Sequence, residues 1–213
     1  MTSYWFSFFF PWLLVFSVFQ YLTLRGTQER QTQWPLFLGF GLAAAVVVVL
    51  PIQGIPLGRW MAGLNFQPSI PLLGLIVHRV WKSSFQTELF RPEDRKASWL
   101  CGGVMGTALY PLALGAGHLD PYALGWNFTV LFPIIALLTV MLIWNRNRFG
   151  LLLLFSIIAC DLHLLESPNF WDYLIDPLFW LLSLTFLATS ALKQMRGRKT
   201  CSPVENPVEK ACH

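Results

Sequence analysis

The chain has 213 residues, of which 55% are hydrophobic and 12% charged, and its mean hydropathy is +0.53. Ordinary globular domains carry about 25% charged residues, so fifteen Lys and Arg with eleven Asp and Glu cannot coat a water-facing surface of this size. Disorder, a disulfide scaffold and a collagen-like repeat are excluded on the same grounds. What remains is an all-α, polytopic transmembrane helical bundle.

The first apolar run, Tyr4–Leu24, has no Lys or Arg before it and no A-x-A site after it. It reads as a retained membrane helix rather than a cleaved signal. Trp34–Gln53 follows, with Gly39, Gly41 and Ala43 to Ala45 as a small-residue packing surface. The next run, Ile70–Trp81, is awkward. Its twelve residues make about 18 Å of helix, short of about 30 Å of hydrocarbon. It either crosses with help from its flanks or dips in and returns. Ala97–Ala116 is a clear span, and its Gly102 and Gly106 present a small-xxx-small face expected to pack inside the bundle. Tyr122–Trp144, Phe149–Leu165 and Pro177–Leu192 complete the set, the last preceded by the interfacial aromatics Phe170, Trp171 and Tyr173. Residues 1–192 are expected to form the membrane domain, and 193–213 a basic, disordered cytoplasmic tail.

Charge placement orients these runs. Seven spans put the N-terminus outside and leave fourteen of the fifteen Lys and Arg on the cytoplasmic side, with Arg59 alone opposite. Six spans and a re-entrant segment flip the first third, giving thirteen and two. Both obey the positive-inside rule, and seven is preferred. In either case the Asn145 to Arg148 turn and the C-terminus are cytoplasmic, in an inner or plasma membrane. Basic residues clustered between apolar runs give no nucleic-acid patch; the expected partners are the lipid bilayer and another membrane protein. An echo between Leu50-Pro51…Gly54 and Tyr110-Pro111…Gly115 fits either an internal duplication or ordinary helix ends.

The residues able to carry chemistry lie on the outer side. An ionisable group at mid-membrane costs about 2.5–3.5 kcal/mol on insertion scales, and Asp161 is the least explained of them. With His163 and Glu166 it forms the candidate catalytic set. On a continued helix, His163 and Glu166 would share a face and Asp161 would point about 160° away from His163. His118, Asp120, His163 and Glu166 offer imidazole and carboxylate ligands for a divalent metal. Arg59 is the candidate for binding an anionic substrate or headgroup. The simpler readings are that Asp120 before Pro121 and Asp176 before Pro177 are helix caps, and that Arg59 snorkels beside Trp60. Cys101, Cys160, Cys201 and Cys212 show no ligand or redox spacing, and no Walker, GxSxG or HExxH motif occurs. The expected role is that of an accessory component of a membrane system. The alternatives are an enzyme acting on a lipid-linked substrate at the outer face and a small transporter using Asp161.

Overall fold

A computed structural model of the protein describes residues 2–24, 34–63, 68–118 and 120–200. These residues are nearly all helical. The helices are α1 (Thr2–Leu24), α2 (Trp34–Val49), α3 (Leu57–Ala62), α4 (Ile70–Phe85), α5 (Pro92–Pro111), α6 (Leu131–Trp144), α7 (Phe149–Asp161), α8 (Phe170–Leu174) and α9 (Pro177–Thr200). A π turn over Leu112–Ala116 and a 3-10 turn over Pro121–Gly125 follow α5.

The described residues fit the all-α expectation, with one small ribbon between α2 and α3. β1 (Pro51–Ile52) pairs antiparallel with β2 (Ile55–Pro56). Gln53 (φ 53°) and Gly54 (φ 80°) close it, and two positive φ values in a two-residue loop are those of a type I′ hairpin. The run expected to reach Gln53 therefore stops as helix at Val49. Pro51 lacks the N–H that the next helical turn would need.

Seven long helices alternate in direction between two ends of the molecule. At the upper end α3 lies across the start of α1 and the finish of α2, with Gly58 against Phe8 and Val48. The starts of α4 and α9 are joined there by one buried carboxylate: Asp176 accepts the Ser69 N–H (2.9 Å) and hydroxyl (2.6 Å) on one oxygen and the Phe179 N–H (3.0 Å) on the other. At the lower end Gln20 of α1 donates to Ser84 of α4 (2.5 Å). Asp94, buried at the start of α5, accepts the Arg91 N–H (2.8 Å) and the Arg148 N–H (3.0 Å), joining α5 to α7. Ser69 is held at the upper end and Ser84 at the lower, and Ile70–Phe85 between them is one unbroken helix.

Small residues set the closest packing. A Cβ on Gly102 would lie 2.5 Å from Ser183 Oγ and 2.8 Å from Phe179, and one on Gly106 would overlap Trp180. The Gly102/Gly106 face thus packs within the bundle, against α9. In α2 the expectation holds only in part: Ala44 is buried, but a Cβ on Gly39 would meet nothing within 4 Å. The main core runs along the bundle, and Phe149, Leu153, Phe170, Tyr173, Ile175 and Phe179 in it are almost fully buried.

Several boundaries differ from the expected ones. The span expected from Tyr122 starts as helix only at Leu131, because Asp120 caps a 3-10 turn that runs out at Gly125. In α7 the helix stops at Asp161 rather than Leu165. In α9 it continues past Leu192 to Thr200, so 193–200 are helical, while 201–213 lie outside the described residues. Ala191, Leu192, Lys193, Gln194 and Met195 are good helix formers, and the positive charge of Lys193 and Arg196 complements a helix C-terminus. The Leu50 and Tyr110 echo leads into unlike structures, a β ribbon and a π turn, and shares only a positive-φ glycine, Gly54 and Gly115. By length and composition, Pro92–Ala116 and Pro177–Arg196 are able to cross a membrane; Phe8–Thr23, Trp34–Val49, Leu131–Trp144 and Phe149–Asp161 are shorter apolar helices.

Candidate functional site

The backbone at the end of α7 decides where the outer candidates point. His163 takes up φ 49°, its N–H bonds to Cys160 O (3.0 Å), and the Leu164 N–H bonds to Ala159 O (3.0 Å). These are the two bonds of a Schellman cap with His163 in the left-handed position usually given to glycine. The helix ends there, so the expected shared face of His163 and Glu166 does not form. The same reversal overturns the expected divergence of Asp161 and His163. Both line one cavity of about 680 Å³ between α6 and α7, roofed by Trp126, Asn127 and Phe128.

The other candidates stand apart from that cavity. Glu166 and His118 are exposed and do not line it. Asp120 accepts the Tyr122 N–H (3.0 Å), the capping role expected of it. Among the described residues no three His, Cys, Asp or Glu are placed to hold a metal ion. His118, Asp120, His163 and Glu166 do not form such a group. Arg59 is exposed on α3, which packs on α1 and α2, and it is not part of the α6/α7 cavity.

Sequence reasoning missed the side-chain network behind this cavity. Asn169 accepts the Trp171 N–H (2.9 Å) and donates to Tyr122 O (3.1 Å), and Trp171 Nε1 donates to Pro121 O (2.8 Å). The Tyr122 hydroxyl donates to both oxygens of Asp172 (3.0 and 3.2 Å). Burial first, then the Asp172 charge, pushes the Tyr122 phenol up to about 12. Burial also raises the Tyr173 phenol, opposed in part by the Leu165 N–H that its oxygen accepts.

A second cavity, of about 830 Å³, opens at the lower end between α4, α5 and α9. Leu72, Leu75, Trp99, Leu182 and Phe186 line its apolar part. Arg79, Lys82, Arg95, Gln86 and Thr189 line the part nearer the lower end, and none of its lining residues is acidic. His78 also lines it and is only 3% exposed. Its Nδ1 accepts the Phe90 N–H (3.2 Å), while its Nε2 is buried without a hydrogen-bond partner among the described residues. The only sequence signal for this site was one imidazole among basic residues at the end of a short apolar run.

No family model matches the chain, and no significant match emerges among curated proteins or solved structures.

Proposed function

We propose that the chain is a seven-span integral membrane protein, with its N-terminus outside and its C-terminus cytoplasmic, that serves as an accessory component of a membrane system. The observation that carries the reading is the outward face of the bundle. Leu38, Leu42 and Val46 on α2 and Ile134, Leu137 and Val140 on α6 are 55 to 72% exposed. Apolar ridges of this kind on neighbouring turns of separate helices suit lipid or a partner helix, not water. The accessory role is supported by how the buried acids are used. Asp94 and Asp176 accept backbone N–H groups and act as staples between helices. Extraction of tagged protein in mild detergent tests the role: co-elution with a stoichiometric membrane partner is expected, and a lone monomer would overturn it.

A second reading, a catalytic site for a lipid-linked substrate at the outer face, is favoured by one observation. Asp161 and His163 share a cavity large enough for a small ligand. Here the imidazole would move protons and the carboxylate would orient it. Asp161→Asn and His163→Ala, each with helix content intact, are then expected to abolish the phenotype of the gene. Unchanged phenotypes in both would end this reading.

A further inference from the structure

We propose that the lower cavity between α4, α5 and α9 binds a phosphate-headed anionic lipid. Its lining changes character along one direction. On α4 it passes from Leu72 and Leu75 to Arg79 and Lys82, about 15 Å from Leu72 to Lys82 at 1.5 Å per residue. Both other walls follow the same order, from Trp99 out to Arg95 on α5 and from Leu182 and Phe186 out to Thr189 on α9. An apolar inner part continuous with a cationic outer part fits an amphiphile whose head stays at the lower end and whose first acyl segment enters the bundle. At about 830 Å³ the cavity has the size of a ligand site.

The buried imidazole is the second, independent observation. His78 Nδ1 accepts a hydrogen bond from Phe90 N–H, so in the neutral ring the proton sits on Nε2. That donor has no acceptor, and a buried unpaired donor is costly. An oxygen of a bound anion would satisfy it. Lys82 is engaged with Glu88, and both are partly exposed. Exposed pairs of this kind are weak, so Lys82 is open to a stronger anionic partner. Arg79 lies over the Tyr21 ring at 5.7 Å, and Arg95 reaches the cavity from the first turn of α5. The net charge facing the site is positive.

The site draws on the membrane reading only for its supply of lipid. A lone monomer in detergent would remove the accessory role and leave the lipid site standing. For the test, full-length protein in mild detergent is mixed with equal amounts of phosphatidylglycerol and phosphatidylcholine of the same acyl chains. Intact-protein mass spectrometry then reads the lipid retained. Phosphatidylglycerol is expected to be retained in preference, and the double change Lys82→Gln/Arg95→Gln to reduce its retention by about tenfold or more. Thr185→Trp, which fills the cavity without altering charge, is expected to do the same. Arg146→Gln/Arg196→Gln, at the same end but outside the cavity, should have little effect. Equal retention of the two lipids would overturn the proposal, as would equal losses in the two double variants or full retention in Thr185→Trp. Inorganic phosphate that displaces the lipid at comparable concentration would overturn the amphiphile and reduce the site to an anion pocket.

Discussion

Asp176 joins two helices through three hydrogen bonds, and it is 2% exposed. Removing a buried acceptor leaves its donors unsatisfied, at about 1–3 kcal/mol for each stranded group. Asp176→Ala is therefore expected to destabilise the bundle by several kcal/mol, measured as a fall in denaturation midpoint in detergent. Ser69→Ala, which removes one bond and keeps the carboxylate capped onto Phe179, should cost far less. His163 gives the opposite case. In the left-handed region a side chain carries a penalty that glycine avoids, so His163→Gly should leave the protein as stable or more stable by about 0.5–1 kcal/mol. His163→Ala keeps the strain and gains nothing. If His163→Gly melted lower than His163→Ala, the imidazole's own contacts rather than the backbone would hold the end of α7. At Tyr122 the folded protein binds the phenolic proton more tightly than the unfolded chain. Its contribution is fully present below the ordinary tyrosine range near 10 and fades as pH rises through about 12. Melting points followed from pH 9 to 12 should fall in the wild type more steeply than in Tyr122→Phe.

At the scale of elements, the α5/α9 contact separates glycines that permit packing from those that do not. A methyl on Gly106 would overlap the Trp180 ring, and one on Gly102 would meet Ser183 and Phe179. Gly106→Ala is expected to cost about 1–3 kcal/mol by overpacking. Gly39→Ala in α2, with open space around it, should be neutral or stabilising by up to about 1 kcal/mol through helix propensity. Parallel melts of the two variants check this contrast. The Gly102/Gly106 face was legible because spacing alone defines it. The starts and ends of the spans were not, because apolar composition continues through both helix and turn. Tyr122 to Val130 carries no charge and leads straight into a span, but Gly125 packs so tightly against Asn169 and Trp171 that no side chain fits, and this depends on residues more than forty positions away. The reach of α4 was likewise hidden, since twelve apolar residues say nothing about Ser69 and Ser84 being held at opposite ends. Of the candidate site, Asp161 and His163 could be singled out from the sequence, but that both line one cavity could not. Helical geometry sends them apart, and only the left-handed turn at His163 brings them to one cavity.

For the whole molecule, the alternation of the seven long helices and the distribution of charge point the same way. Arg59 stands at the upper end, while Lys82, Arg91, Arg95, Lys96, Arg146 and Arg148 lie at the lower end or in its connections. In the seven-span reading every helix from α1 to α9 except the short α3 and α8 crosses, so Trp60 and the turn after α7 face outward together. In the six-span alternative Trp60 would change sides while the α6/α7 turn stayed cytoplasmic. Single cysteines at two exposed positions, Trp60→Cys and Asn145→Cys, on a background with the native cysteines replaced, separate the two. An impermeant maleimide added to intact cells is expected to label the first and spare the second. Labelling of neither before lysis would place the α3 end in the cytoplasm and overturn the seven-span reading. Because α4 supplies His78, Arg79 and Lys82 to the lower cavity, its direction also determines which leaflet could deliver an anionic lipid there. In the seven-span reading, where α4 runs from outside to inside, that is the cytoplasmic leaflet, where anionic headgroups attract basic clusters.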